Sequence, residues 1–146
     1  MAPPPQSSTN EVDPIQLTIP LTLTPHTSIQ ALIQHRLQTP LIFLTTSTTH
    51  SSPSQSALGS FVYALPNRLN PSESLCTTLY AQQGTLDFAT RVAKIVAKRI
   101  ARPVYVGWSG ELGGIGRQVD EEMEGVRKVV EGIMGVFEGQ NEEARG

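Results

Sequence analysis

Several short segments within the first eighty positions carry apolar residues in the pattern of β-strands, most clearly as alternating apolar and polar residues. The first such segment runs from Ile15 to Leu23, with Gln16, Thr18 and Thr22 on its polar side. Pro20 lies inside this segment and favours the edge of a sheet or a bulge, because proline cannot donate a ladder hydrogen bond. Further strands are predicted at Leu41–Thr46, Ser60–Leu65, Leu75–Tyr80 and Pro103–Trp108.

The segment 29–37 fits two patterns at once. Its apolar residues match the period of a strand and also one face of a helix. Because the segment is short and lies between strands, we interpret it as a strand, with a helix as the alternative.

A period of three to four residues begins after Gly84 and predicts two helices. In the first helix Thr85 is the expected N-cap. The apolar face of the first helix consists of Leu86, Ala89, Ala93, Val96 and Ile100. The apolar seam of the second consists of Val119, Met123, Val126, Val130, Ile133 and Phe137. Glu121 and Glu124 fall outside this seam, so both are expected on the outer, soluble face.

The order of these elements predicts an α+β domain. We expect a mainly antiparallel β-sheet of five to six strands, covered on one face by the two helices, with the other face available for a partner sheet. Short connections indicate a meander, in which strands adjacent in sequence are adjacent in the sheet. The domain is placed at residues 14–138, between a disordered Pro/Ser-rich tail at 1–13 and a flexible C-terminal tail at 139–146.

Charged residues are segregated between the two helices. Five of the eleven basic residues lie from Arg91 to Arg102, and eight of the thirteen acidic residues lie from Asp120 to Glu143. Arg91, Lys94, Lys98 and Arg102, here called the basic stripe, are the candidate partner-binding residues, although a solvated helix face explains them about equally well. The net charge of −2 and the acidic second helix argue against a nucleic-acid ligand.

Residues suited to catalysis or metal binding do not converge in the sequence. The three histidines lack a second ligand at metal-site spacing, and Cys76 lies in an apolar strand. Ser109 resembles a hydrolase nucleophile, but no histidine follows it to act as the base. Segment 110–116 is rich in glycine but lacks the lysine of a phosphate-binding loop, which leaves weak anion binding open. We therefore predict no enzyme, no cofactor and no metal.

The remaining features concern the cellular compartment. The N-terminal residues lack the plan of a signal peptide, and no apolar run reaches the roughly 18 residues that a membrane span needs. With one cysteine the chain has no internal disulfide. We expect a cytoplasmic or nuclear protein.

Three segments together resemble the proteasome assembly chaperone 4 family in a diverged, fungal-type form. They are Leu86–Lys94, Arg102–Gly107 and Val119–Met123, which follow the family's order of a basic Ala-rich helix, a short aromatic strand and an acidic helix. The resemblance spans about residues 14–135. The proline-rich tail, the Ser/Thr-rich loop after Thr46 and the glycine-rich turn depart from the family pattern.

This resemblance implies a non-enzymatic chaperone that works as a heterodimer with a proteasome assembly chaperone 3-like subunit. The pair would bind the proteasome α-subunit type 5 beside its neighbouring α-subunits and promote assembly of the 20S α-ring. From the residues alone two other interpretations stay open: an adaptor or scaffold domain of another complex, and a small nucleotide-binding protein or enzyme that uses segment 110–116.

Overall fold

The computed structural model describes residue 3 and residues 13–34, 38–49, 57–112 and 118–145. Six strands and two helices follow one another along the chain. They are β1 (Ile15–Pro20), β2 (Thr27–Gln34), β3 (Leu41–Thr48), β4 (Ser60–Pro66), β5 (Ser74–Tyr80), α1 (Leu86–Ile100), β6 (Val104–Trp108) and α2 (Gln118–Arg145). No helix in these residues is long and apolar enough to span a membrane.

The six strands form one open sheet in the order β1-β2-β3-β6-β4-β5. Four of the neighbouring pairs are antiparallel, and β3 and β6 are parallel. The α+β class with a mainly antiparallel sheet is therefore confirmed. The predicted meander is wrong in the centre, because β6 lies between β3 and β4. β1 is an edge strand, as Pro20 predicted.

The ambiguous segment is a strand over the part that the structure describes. β2 covers residues 27–34, and residues 35–37 lie outside the described ranges. Its eight residues pair in register with β3, and Ile29, Ala31 and Ile33 are buried. The antiparallel pairing on both sides accounts for the period of two, which prevails over the helical alternative.

One face of the sheet packs against both helices and forms the core. The register places inward side chains of neighbouring strands opposite each other, for example Ile33 beside Ile42, and Ile42 beside Val106. α1 contacts β4, β5 and β6, whereas α2 contacts α1, β1 and β2. The Phe88 and Trp108 rings stack in this layer at a centroid distance of 4.1 Å.

The first helix follows its predicted pattern closely. Its buried residues are Phe88, Ala89, Val92, Ala93, Val96 and Ala97, whereas Leu86 and Ile100 are only partly buried. Thr85 occupies the N-cap position but makes no side-chain capping bond; its backbone is in the right-handed helical region, and its hydroxyl donates to the Gln82 carbonyl. α1 ends at Ile100, and its C-cap residue Ala101 adopts a left-handed conformation with φ of 54°.

The second helix departs from its predicted seam at its N-terminal end. Val119 and Met123 are 66% and 60% exposed, whereas Glu121 and Glu124 are buried, so their expected outward position is wrong. The turn after β1 covers this end, where Thr22 and Leu23 donate hydrogen bonds to the Glu124 carboxylate. In the first turns of α2, the side that packs against the rest of the domain is therefore the one that carries Glu121 and Glu124.

Gly125 explains how α2 approaches the core so closely. A Cβ atom there would lie 2.8 Å from Leu112 Cδ1 and 3.2 Å from Phe88 Cε2. From Val126 onwards the predicted seam is correct, since Val126, Val130, Ile133 and Phe137 are all buried. α2 continues to Arg145, and the domain boundaries stay a prediction.

Candidate protein interface

The sheet face opposite the helices carries an apolar surface that no described element of this chain covers. We call it the open face. Its apolar members are Leu32, Leu41, Phe43, Phe61, Tyr63, Leu65, Leu75 and Tyr105. Most of these side chains are half-buried by their neighbours, and Leu75 is 51% exposed. Contiguous apolar surface of this kind is a feature of protein interaction sites.

Four aromatic rings form a row across the three central strands of the open face. The Phe43 and Phe61 rings stack at a centroid distance of 6.1 Å, and Phe61 stacks on Tyr105 at 5.7 Å. Tyr63 lies against Tyr105 at 4.8 Å with the rings tilted by 45°. The contacts hold the rings in place before any partner arrives, so that binding orders few side chains.

Gly107 makes this aromatic row possible. It lies in β6 beside both Phe43 and Phe61, and a Cβ atom there would be 2.8 Å from Phe43 Cδ1. The two rings therefore meet across the backbone of β6. Leu58 lies at the same place and is 40% exposed.

On the open face, the C-terminal part of β3 and the residues that pair with it in β2, and through β2 in β1, are polar. Gln30 Nε2 donates to the hydroxyl oxygens of Ser28 and Ser47 at 3.2 and 3.1 Å, and Thr18 donates to Gln30 Oε1 at 2.8 Å. A depression of about 480 Å³ lies between this polar part and the aromatic row, with Phe43 in its lining. An apolar centre beside a polar margin is the usual composition of a protein interface.

The residues considered above for catalysis or metal binding do not come together in the described part of the structure. Cys76 is half-buried; burial raises the pKa of its thiol above 9.0, and the Lys94 charge and a hydrogen bond with Thr90 only partly oppose this. A raised pKa disfavours the reactive thiolate. The Ser109 hydroxyl donates to the Leu44 carbonyl at 3.4 Å. In the glycine-rich segment, residues 113–117 lie outside the described ranges, as do His35 and His50. Within the described chain no group of acidic, histidine or cysteine residues could hold a metal ion.

A comparison with protein families identifies the chain. The family model for proteasome assembly chaperone 4 matches residues 28–109, which is more than half of the sequence. The chain belongs to the proteasome assembly chaperone 4 family. The match covers β2 to β6 and includes the helix and strand that carried the sequence resemblance, whereas the acidic segment Val119–Met123 lies beyond it. Proteins of this family are assembly chaperones, which are not catalysts.

A solved structure has the same fold. It is a chain from the crystal structure of a chaperone complex for yeast 20S proteasome assembly, with a TM-score of 0.54 and 19% sequence identity. The similarity covers 87% of the present chain and 95% of the yeast chain. The chain thus has the same overall fold as the yeast chain. Among curated proteins no match was found.

The four residues of the basic stripe lie in four different surroundings. Arg91 lies in a groove between α1 and α2, and Lys94 lies beside β5, where its carbonyl accepts a hydrogen bond from Ser74. Lys98 is exposed, and Arg102 lies over the Phe137 ring at 5.5 Å from its centroid. The assignment of the stripe as a partner-binding site stays a prediction.

Sequence reasoning missed the open face's aromatic row, because the order of the strands, and hence which rings meet, cannot be deduced from periodicity.

Proposed function

We propose that this member of the proteasome assembly chaperone 4 family acts as a heterodimer with a proteasome assembly chaperone 3-like subunit. The pair binds a proteasome α-subunit, type 5 beside its neighbours, and promotes assembly of the 20S α-ring in the cytoplasm or nucleus. Membership of the family supports the chaperone role. The apolar open face is the single structural observation that carries the proposed heterodimer.

The open face is suited to a second sheet. An antiparallel sheet can leave one face to water when that face is polar, but here its centre holds aromatic and aliphatic side chains. Two sheets that pack face to face interdigitate such side chains across about 10 Å. A partner of similar fold would bury the aromatic row from the other side and remove the exposed apolar surface.

The basic stripe is the proposed contact with the α-subunit. It lies on the helical layer, so it remains accessible when the open face is covered. Three of its residues, Arg91, Lys94 and Lys98, are exposed. Exposed charges of one sign increase the association rate with an oppositely charged surface, and salt weakens this effect.

Co-expression with the two proposed partners tests this function. The tagged chain should co-purify with the chaperone 3-like subunit, and the pair should retain the α-subunit. Replacing Tyr63 and Tyr105 by Glu places two charges in the centre of the proposed interface and should abolish heterodimer formation. Glu138→Lys changes an exposed residue of α2 and should leave it intact. Equal recovery of the partner with both variants would contradict the proposal.

A further inference from the structure

The helical layer contains a second surface that is unrelated to the open face. A groove with a volume of about 360 Å³ runs between α1 and α2. Ile95 of α1 and Val126 and Val130 of α2 provide its apolar lining, and Met123 lies at its rim with 60% of its surface exposed. Methionine is unbranched and polarisable, and it adapts to ligands of varied shape.

Three arginines surround this apolar lining. Arg91 and Arg99 project from α1 and Arg127 from α2, and all three are exposed. Glu131 is the acidic residue that lines the same groove, so the four charged groups carry a net charge of +2. In the described part of the chain the one ion pair joins Lys128 to Glu124, and none of the three arginines has a side-chain hydrogen bond to another described residue.

The combination selects a particular ligand chemistry. Guanidinium groups bind carboxylates through paired hydrogen bonds, and the apolar lining between them favours an aliphatic or aromatic side chain. A free anion would leave the apolar lining unfilled, and an apolar ligand without charge would leave the arginines without partners. An acidic segment with an apolar anchor satisfies both, as in the docking of amphipathic peptides into hydrophobic grooves.

We propose that the groove between α1 and α2 binds a protein segment in which one large apolar side chain is flanked by carboxylates. The apolar side chain packs on Ile95, Val126 and Val130, and the carboxylates pair with Arg91, Arg99 and Arg127. Because the groove lies on the layer opposite the open face, such a segment binds whether or not a partner sheet is present. The groove is then a protein-binding surface separate from the open face, and it shares Arg91 with the basic stripe.

Synthetic peptides test this proposal on the full-length chain. The set contains short peptides with one Leu or Phe flanked by Glu, matched peptides with Ser in place of the apolar residue, and matched peptides with Lys in place of Glu. Binding is measured by fluorescence polarisation. The contact is located by the NMR shifts of the methyl groups of Ile95, Met123 and Val130.

The acidic peptides with an apolar anchor should bind about tenfold more tightly than either matched control and should shift the groove methyl signals. Arg91→Glu combined with Arg127→Glu should weaken binding by at least about tenfold. Arg68→Glu makes the same kind of charge change at an exposed residue outside the groove lining and the basic stripe, and it should alter binding by less than about twofold. Met123→Glu keeps all three arginines and should also weaken binding.

Several results would overturn the proposal. The proposal is wrong if no acidic peptide binds, if the Lys-flanked peptides bind equally well, or if the NMR shifts are confined to the open face. Shifts of the groove methyl signals with protein concentration alone would show that a second copy of the chain fills the groove instead. Recovery of the chaperone 3-like subunit is unaffected by the groove variants, so failure here is distinguishable from failure of the proposed heterodimer.

Discussion

Replacement of Glu124 by Gln should destabilise the fold in a way that depends on pH. The Glu124 side chain is buried against the turn after β1, where one carboxylate oxygen accepts hydrogen bonds from the backbone N–H and the hydroxyl of Thr22. The other oxygen accepts from the Leu23 N–H at 3.0 Å, and Lys128 Nζ lies 3.1 Å from the first oxygen. A glutamine has one carbonyl oxygen, so one of the two backbone donors would face an amide NH₂ group and lose its acceptor.

The pKa of Glu124 sets the size of the effect. Burial disfavours the charged carboxylate, but the hydrogen bonds from Thr22 and Leu23 and the contact with Lys128 outweigh it and lower the pKa from 4.5 to about 2. At about 1.4 kcal/mol per unit this corresponds to an upper limit of about 3 kcal/mol. Since the neighbouring turn is solvent-exposed and water screens the charge, we expect Glu124→Gln to cost about 2 kcal/mol at neutral pH.

Urea denaturation from pH 7 to pH 2, followed by circular dichroism, measures this cost. Because the folded pKa is below the unfolded value, the stabilisation is fully present above about pH 5 and is lost as the pH falls from 4.5 towards 2. The difference between the wild type and Glu124→Gln should therefore shrink over this range. The control Glu138→Gln, on an exposed side chain of the same helix, should cost less than about 0.5 kcal/mol at every pH. Equal losses for the two variants, or a Glu124 effect independent of pH, would refute the reasoning.

Three further predictions concern the helices. Ile133→Ala, at a fully buried site, should lower the free energy of unfolding by about 2–5 kcal/mol. Met123→Ala, at an exposed site of the same helix, should change it by less than about 0.5 kcal/mol. Similar costs for the two variants would contradict the observed position of α2. Gly135→Ala should stabilise the protein by about 0.5–1 kcal/mol, because alanine favours the helix and a Cβ atom there meets no neighbour within 4 Å. Thermal denaturation measures this gain, and a loss of stability would contradict the prediction. Replacing Lys94 and Lys98 by Glu should leave folding within about 0.5 kcal/mol but slow association with the α-subunit at low salt. Stopped-flow kinetics measure that rate, and an unchanged rate would assign the two lysines to a solvated face.

Local periodicity predicted the elements well because it reflects which side of each element is buried. The β-branched run of β3, the pattern of α1 and the edge position of Pro20 all agree with the structure. The position of β6 between β3 and β4 was not predictable, since the order of strands depends on contacts between distant segments. The N-terminal part of α2 was wrong for a related reason: Glu124 is buried by Thr22, which is 102 residues away in the sequence.

The candidate interface was predictable only in outline. A two-layer domain with helices on one side implies an uncovered sheet face, and this followed from the order of the elements. Which side chains meet there depends on register, as for Phe43 and Phe61 on either side of Gly107. Of the groove arginines, Arg91 was among the predicted binding residues, whereas Arg99 and Arg127 were missed. Arg127 belongs to the acidic helix and lines the same groove as Arg91 only when the two helices pack together.

Hydroxyl-radical footprinting of the chain, alone and with its chaperone 3-like partner, tests most directly whether the open face is the partner interface. Aromatic and sulfur-containing side chains report their own solvent exposure, so Phe43, Phe61, Tyr63 and Tyr105 serve as probes on the open face and Met123 serves as a control on the helical layer. We predict that the partner reduces oxidation of the four aromatic residues and leaves that of Met123 unchanged. Unchanged oxidation of the aromatic row in the complex would contradict the account.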